Sequence, residues 1–163
     1  MNIRSMLNTD WPSVKKIYEE GLATGNASFQ TTAPDWNEWN ESHVNSCRLV
    51  ALENEAILGW AALTAVSGRC VYAGVGEVSV YIAQQSRGIG IGKILLQSLI
   101  DESEKNNFWT LQSGIFPENK PSIRIHEELG FRLIGSRQKI GKMNGVWRDT
   151  LLFERRSPKI GID

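Results

Sequence analysis

The chain has 163 residues, of which 41% are hydrophobic and 22% are charged, and this is the composition of an ordinary globular protein. Lysine plus arginine and aspartate plus glutamate number 18 each, and this zero net charge argues against nucleic acid as the main partner. Two cysteines without a metal-binding spacing and only two histidines argue against a metal site, and no stretch is apolar for long enough to span a membrane. We therefore expect one domain over residues 1–163, without a metal and located in the cytoplasm.

The first part of the chain predicts a strand, two helices and a hairpin. A short strand at "NIRSML" precedes a helix with Pro12 in its first turn and an apolar stripe of Val14, Ile17, Tyr18 and Leu22. The polar connection "GNASFQTTAPDW" leads to a second helix over residues 36–44. "RLVALE" and "AILGWAALTAV" are two strand-like runs, and Asn54 and Glu55 between them indicate a hairpin turn.

The remainder of the chain alternates strands and helices. "GEVSVYI" is a strand with alternating apolar and polar residues, and "QQSRGIGIGK" joins it to a helix over about residues 90–105. "WTLQSGIF" is a strand, residues 121–129 form a helix that Gly130 ends, and "RLIGSRQKIG" and "VWRDTLLFE" are strands around a turn at Asn144 and Gly145. The order β-α-α-β-β-β-α-β-α-β-β predicts an α/β or α+β fold, with helices on both faces of a mixed central sheet.

The glycine-rich turn between strand and helix indicates a site for an anion. Unpaired main-chain N–H groups and the dipole of the following helix favour phosphate or pyrophosphate, and Arg87 and Lys93 add positive charge. The turn is not a P-loop, because Lys93 is followed by Ile94, and its GxGxG spacing fits a dinucleotide-binding loop poorly. Residues 87–92, "RGIGIG", match the acyl-CoA loop [RQ]xxGx[GA] at each fixed position. A glycine turn that only begins a helix is the alternative.

At this motif the chain resembles the GNAT superfamily of N-acetyltransferases, and the resemblance extends over nearly its whole length. "YAGVGEVSVYI", "RGIGIGK", "PENKPSIRIHEELGF" and "GVWRD" resemble segments of the phosphinothricin and methionine sulfoximine acetyltransferase group, and "ASFQTTAPDWNEW" is similar to its substrate-side loop. The resemblance implies a GNAT-like acyl-CoA N-acyltransferase fold, acetyl-CoA as co-substrate and a homodimer. For Arg148 and Asp149 in "GVWRD" we expect an ion pair within the chain or between subunits.

The resemblance assigns most contacts with the cofactor to main-chain groups. The pantetheine arm is expected to pair with Val80, Tyr81 and Ile82. The pyrophosphate is expected to lie on the main chain of the turn, which consists of Arg87, Gly88, Ile89, Gly90, Ile91, Gly92 and Lys93. Asn119 and Ser122 complete the expected site, and an ordinary helix cap is the alternative for Asn119.

Two side chains are candidates for the chemistry. Glu77 is the candidate general base, because an amine with a pKa near 10 must lose a proton before it attacks a thioester. A surface glutamate on a half-exposed strand is the alternative. His126 stands where many superfamily members have a tyrosine that protonates the leaving thiolate, and a structural histidine is the alternative there. Neither a GxSxG elbow nor an activated cysteine is found, which agrees with direct transfer of the acetyl group.

The acceptor site is predicted from residues around Glu77. Arg69 is expected to bind the α-carboxylate that acceptors of this group carry, or else to be a solvated turn arginine. Phe29, Trp36 and Trp147 would wall an apolar pocket or belong to the core. The full set of expected acceptor contacts is Phe29, Arg69, Glu77, Val78, Ser79 and Trp147. The alternatives to an acetyltransferase of small amino acids are a protein or peptide N-terminal acetyltransferase and a non-catalytic acyl-CoA-binding protein.

Overall fold

A computed structural model of the protein describes all 163 residues, and its centre is one seven-stranded sheet in the order β1-β2-β3-β4-β5-β7-β6. The strands are β1 (Asn2–Ser5), β2 (Leu49–Glu53), β3 (Ala56–Ala65), β4 (Val75–Ile82), β5 (Thr110–Ile115), β6 (Arg132–Met143) and β7 (Val146–Arg156). The helices are α1 (Trp11–Leu22), α2 (Trp36–Ser42), α3 (Ile91–Lys105) and α4 (Lys120–Glu128). The order of elements and the mixed sheet confirm the predicted fold.

Local chemistry explains where several elements begin and turn. Pro12 lies in the first turn of α1, where its missing N–H costs no hydrogen bond. Asp35 caps α2 by accepting a hydrogen bond from the N–H of Glu38 at 2.9 Å. Asn54 and Glu55 both have positive φ, 48° and 66°, as a tight turn between two antiparallel strands requires.

Two hydrophobic clusters cover the two faces of the sheet. On one face, α3 packs on the sheet through the fully buried Leu95 and Leu99, beside Phe153 of β7. On the other face, α1 and α2 contribute the buried Val14 and Trp39. Helices on both faces confirm the prediction made from the order of elements. None of the four helices combines the length and hydropathy that crossing a bilayer requires.

Strands β4 and β5 are the only parallel neighbours in the sheet, and α3 is the connection between them. All other neighbouring strands are antiparallel. The turn from β4 into α3 therefore lies at the carboxyl end of β4. In sheets with parallel strands, ligands bind at this end.

Candidate active site

The glycine-rich turn presents a row of free main-chain donors. Gly88 and Gly90 have φ of 80° and 90°, a conformation that glycine adopts without strain. No hydrogen bond within the chain uses the N–H groups of residues 87–93 as donors. Gly90 is the N-cap of α3 and has no side chain to cap it. These N–H groups and the positive end of the α3 dipole therefore form a site for a phosphate-sized anion.

The two cations beside the turn differ in their availability. The Nε of Arg87 donates to the carbonyl of Ile82 at 3.3 Å, and its terminal nitrogens have no partner in the chain. The ammonium of Lys93 pairs with Glu128 on α4 at 3.0 Å. The pair with Glu128 reduces the positive charge that the Lys93 side chain can offer an anion, and its contribution stays a prediction; its main-chain N–H remains open. The side chain of Ile91 is buried, so this residue can also contribute only its N–H group.

A gap opens beside β4 where β5 diverges from it. The two strands pair only at Val75–Thr110, Gly76–Leu111 and Glu77–Gln112. From residue 78 to 82, β4 has a partner on its β3 side alone, so its main-chain groups toward β5 are open. An extended ligand that carries amide groups can pair with such an edge as an added strand does. The open edge and the donor row together fit the pantetheine arm and pyrophosphate of acetyl-CoA.

Side chains of β4 point alternately to the two faces of the sheet. Val78, Val80 and Ile82 pack in the cluster under α3, and the Val78 side chain is buried there. Val78 can therefore reach a ligand only through its main chain, and its contact with the acceptor stays a prediction for that main chain. Tyr81 packs on Trp60 with ring centroids 4.9 Å apart, and burial raises the pKa of its hydroxyl.

Glu77 lies at the closed end of the gap, on the face of the sheet that carries α1. It is half-buried, and its carboxylate has neither a hydrogen bond nor an ion pair within the chain. Ser79 lies two residues further along β4, so it points to the same face. The arrangement leaves the Glu77 carboxylate available to a group that enters the gap from this face.

The loop between α1 and α2 closes the far end of this face. Phe29 packs edge-on against Phe116, with ring centroids 4.9 Å apart, and a Cβ on Gly141 would lie 2.8 Å from its ring. Gln112 pairs with Glu77, so Gly114, two residues further along β5, lies on the same face of the sheet, and Phe116 follows the end of β5. We call the surface from Glu77 over Gly114 to the Phe29–Phe116 pair the trough. Tyr18 of α1 donates a hydrogen bond to the side-chain oxygen of Gln30, and this bond is a second attachment of the loop between α1 and α2.

Arg148 holds this loop in place, and the sequence did not reveal that role. Its guanidinium donates to the carbonyl of Gly25 and, at 2.8 Å, to Oδ1 of Asn26. It also pairs with Glu118 at 3.1 Å and lies 3.7 Å from the centroid of the Phe116 ring. The expected ion pair of Arg148 within the chain is confirmed, with Glu118 as the partner. No local signal could have indicated a bond to residues more than 120 positions away.

Asn119 acts as a helix cap in this structure. Its Oδ1 accepts a hydrogen bond from the N–H of Ser122 at 3.4 Å, and its Nδ2 donates to the carbonyl of Asn26 at 3.2 Å. A helix cap, the alternative interpretation of Asn119 from the sequence, is therefore the role that the structure shows. A contact between Asn119 and the pantetheine arm stays a prediction, and it would compete with the bond to Asn26.

His126 is buried and its protonation state follows from its contacts. Its Nδ1 lies 2.7 Å from the carbonyl oxygen of Ser122, which can only accept, so Nδ1 carries the proton. Burial lowers the pKa of the imidazole, and the buried Nε2 has no partner in the chain. His126 is therefore a neutral imidazole with an unpaired acceptor nitrogen at neutral pH.

The remaining expected acceptor contacts are not all brought to the trough. Arg69 is exposed, and its guanidinium lies 5.7 Å from the centroid of Tyr72 without a carboxylate partner. Trp36 packs against Trp11 in the cluster between α1 and α2, so it belongs to the core. Trp147 is exposed, and because it neighbours Arg148 on β7 it points to the opposite face of the hairpin. Within one chain, the Trp147 side chain therefore does not line the acceptor site together with Phe29 and Glu77.

Comparison with known proteins agrees with this geometry. The profile of the acetyltransferase (GNAT) family matches residues 3–131. The chain is 31% identical to the phosphinothricin N-acetyltransferase of Alcaligenes faecalis, over 94% of this chain and 81% of that protein. It is 30% identical to the L-methionine sulfoximine/L-methionine sulfone acetyltransferase of Salmonella typhimurium, over 94% of this chain and 93% of that protein.

Two solved structures have the same fold along nearly the whole chain. A phosphinothricin acetyltransferase from Sinorhizobium meliloti, crystallised with acetyl-CoA, superposes with a TM-score of 0.85 at 29% identity and covers 95% of this chain and 87% of its own. The ribosomal-protein-alanine N-acetyltransferase from Brucella melitensis superposes with a TM-score of 0.89 at 28% identity and covers 96% of this chain and 100% of its own.

Proposed function

Since the chain belongs to the GNAT family of acetyltransferases, we propose that it acetylates the α-amine of a small amino acid of the phosphinothricin, methionine sulfoximine or methionine sulfone type. The relatives named for these compounds support the acceptor class. The observation that carries the proposal is the unpaired Glu77 carboxylate at the closed end of the gap between β4 and β5. Acetyl-CoA supplies the acetyl group as a thioester.

The proposed role of Glu77 is to take a proton from the acceptor. An amino group of ordinary pKa is mostly protonated at neutral pH and is then no nucleophile. A carboxylate within hydrogen-bond reach, directly or through one water, removes the proton as the nitrogen attacks the carbonyl carbon. The open edge of β4 at Val80, Tyr81 and Ile82 would hold the pantetheine arm and direct its thioester end toward Glu77.

His126 would need to gain a proton before it could act as a general acid. Its neutral imidazole holds a lone pair on Nε2 and donates its one proton to the Ser122 carbonyl. We propose that Nε2 accepts the second proton that the attacking nitrogen loses, after Glu77 has taken the first, and passes it to the thiolate as the C–S bond breaks. His126→Asn would then lower kcat and leave the Kd of acetyl-CoA unchanged.

Arg69 is our proposal for the group that binds the acceptor carboxylate, because its guanidinium is exposed and has no acidic partner. Phe29, backed by Phe116, would contact the apolar end of the acceptor. Ser79 would line the side of the trough that β4 forms. A cytoplasmic location and a role in resistance to such compounds stay predictions.

We also propose a homodimer, and the free edge of the sheet supports it. Strand β6 is a 12-residue edge strand with no neighbour on its outer side. Exposed apolar residues line this hairpin, namely Leu133, Ile134, Ile140, Val146 and Trp147. Long apolar edges invite pairing with another strand, and a second copy would give Trp147 a partner surface. Light scattering coupled to gel filtration would test this, and a monomer at micromolar concentration would refute it.

A second candidate, acetylation of a protein N-terminus, has the support of the Brucella melitensis neighbour. Such an acceptor would need a trough that is open at both ends. The contact of Phe29 with Phe116 and the hydrogen bonds of Arg148 to the loop argue for a closed end and a small acceptor.

The test is thiol release from acetyl-CoA with a panel of amines that includes methionine sulfone, methionine sulfoximine, phosphinothricin, polyamines and peptides. Activity confined to polyamines or peptides would refute the acceptor class, and tight acetyl-CoA binding without any turnover would favour a non-catalytic binding protein. Glu77→Gln should lower kcat by about 10²–10⁴-fold. Glu154→Gln is the matched control, because Glu154 occupies the same register row two strands away.

A further inference from the structure

Gly114 is exposed although its strand lies inside the sheet. β5 has β4 on one side and β7 on the other, and residues of such strands are usually covered on both faces. A Cβ built on Gly114 would meet no atom within 4 Å, and its φ is not positive. By contrast, a Cβ on the nearby Gly76 would meet Phe108 at 3.2 Å. Packing explains glycine at residue 76, but neither packing nor backbone conformation requires glycine at residue 114.

The register of the strands places Gly114 beside the candidate base. Glu77 pairs with Gln112, and neighbours paired in a sheet point to the same face. Gly114 is two residues beyond Gln112, so it points to that face as well, about 7 Å further along β5. The strands have diverged at that level. Gly114 therefore forms the β5 side of the gap, on the face of the sheet to which Glu77 points.

The trough continues from Gly114 to the aromatic pair at its closed end. Phe116 is two further residues along the chain, so the floor from the level of Glu77 to Phe116 is about 13 Å long. Phe116 is buried and Phe29 lies against it. An acceptor with its amine at Glu77 and its side chain directed toward Phe29 would pass over Gly114.

We propose that Gly114 is a specificity-determining residue whose missing side chain makes room for the side chain of the acceptor. The proposal rests on the function proposed above, and it names where the acceptor chain runs. Any side chain at residue 114 would occupy the floor of the trough, about 7 Å along β5 from the level of Glu77. Such a side chain would point out of the sheet to the face of Glu77, whereas the pantetheine arm is expected to pair with main-chain groups of β4 in the plane of the sheet, and the donor row at residues 87–93 would not be touched.

Gly135 offers a matched control on the same face of the sheet. Leu152 of β7 pairs with Gly114 on one side and with Gly135 of β6 on the other. A Cβ on Gly135 would also meet no atom within 4 Å. The two glycines thus share a pairing partner and open space, although β6 is an edge strand and β5 is not, and only Gly114 borders the gap.

The experiment compares Gly114→Ala and Gly114→Val with Gly135→Ala and Gly135→Val. For each variant, KM and kcat are measured with methionine sulfone, the Kd of acetyl-CoA by calorimetry, and Tm by thermal unfolding. Gly114→Val should raise the KM for methionine sulfone at least about tenfold, and Gly114→Ala should raise it less, because about 1.4 kcal/mol corresponds to tenfold. The Kd of acetyl-CoA should stay within about twofold. Tm should stay equal or rise, because valine favours strands and glycine weakens them.

The outcomes separate this proposal from the proposed function. If the unmodified protein acetylates no amino acid of the panel, the proposed function fails and this inference fails with it. If the unmodified protein is active and Gly114→Val keeps KM and kcat within about twofold, only the inference on Gly114 is overturned. A fall in Tm or a weaker Kd for acetyl-CoA in Gly114→Val, absent from Gly135→Val, would also overturn it, since residue 114 would then act through the fold.

Discussion

Replacement of Arg148 by alanine tests whether this side chain holds the loop between α1 and α2 in place. The Arg148 side chain is 16% exposed, and its guanidinium donates two hydrogen bonds to the loop, to the Gly25 carbonyl and the Asn26 side chain. Hydrogen bonds of a charged donor contribute about 1.5–3 kcal/mol each, and the contact with the Phe116 ring adds about 0.5–1 kcal/mol. The pair with Glu118 adds little, because Glu118 is 60% exposed.

The lower ends of these ranges apply, because the loop oxygens regain water when the arginine is removed. Arg148→Ala should therefore lower the free energy of unfolding by about 3.5 kcal/mol. For a chain of this length, that corresponds to a fall in Tm of about 7–14 °C. Urea unfolding gives the free energy and calorimetry gives Tm, and an unchanged m-value shows that the comparison is valid.

Arg137→Ala is the control for this measurement, because Arg137 lies on the same hairpin, is exposed and makes no hydrogen bond or ion pair. Its free energy of unfolding should change by less than about 0.5 kcal/mol. Arg148→Lys keeps the charge but loses the paired hydrogen bonds of the guanidinium. Its loss of unfolding free energy should therefore lie between those of Arg137→Ala and Arg148→Ala. A loss of less than about 1 kcal/mol in Arg148→Ala would show that the loop is held by other contacts.

Three further predictions concern packing, pH and the cofactor. Gly21→Ala should destabilise the protein by about 1–3 kcal/mol in urea unfolding, because the new Cβ would lie 2.5 Å from the ring of Tyr81. Burial lowers the pKa of His43 and His126 in the folded protein. Below the ordinary histidine pKa of about 6.5, the unfolded chain therefore binds more protons than the folded chain. The free energy of unfolding should therefore fall between pH 7.5 and pH 5.5, and a constant value would contradict the burial of neutral imidazoles. Lys93→Ala should change the Kd of acetyl-CoA by less than about threefold in calorimetry, since its ammonium is already paired.

Elements with strong local signals could be predicted from the sequence. Periodic apolar residues and a glycine turn fixed the position of α3, because both report the burial and backbone conformation of one continuous segment. The alternation in "GEVSVYI" assigned Val78 and Val80 to one face and Glu77 to the other, as the structure has them. Local pattern therefore determined which element each candidate residue occupies.

Side-chain partners that are distant along the chain could not be predicted. Lys93 was expected to add positive charge at the turn, and its partner Glu128 on a different helix could not be foreseen. Trp147 was expected at the acceptor site, but its pairing register directs it to the other face of the hairpin from Arg148. A sequence pattern shows that a residue is polar or buried, whereas the packing of separate elements decides which atoms it meets.

The topology explains why an anion site and a free carboxylate occur together. A parallel pair of strands needs a crossover connection, and here α3 makes it, so the glycine turn must follow the carboxyl end of β4. β5 diverges from β4 toward that same end, so the gap opens between Glu77 and the turn. About five residues of open strand, or about 17 Å, then separate the two groups. The proposed cofactor binding and the proposed chemistry then lie at opposite ends of one strand. Changes in the turn should therefore act on the Kd of acetyl-CoA, and changes at Glu77 on kcat.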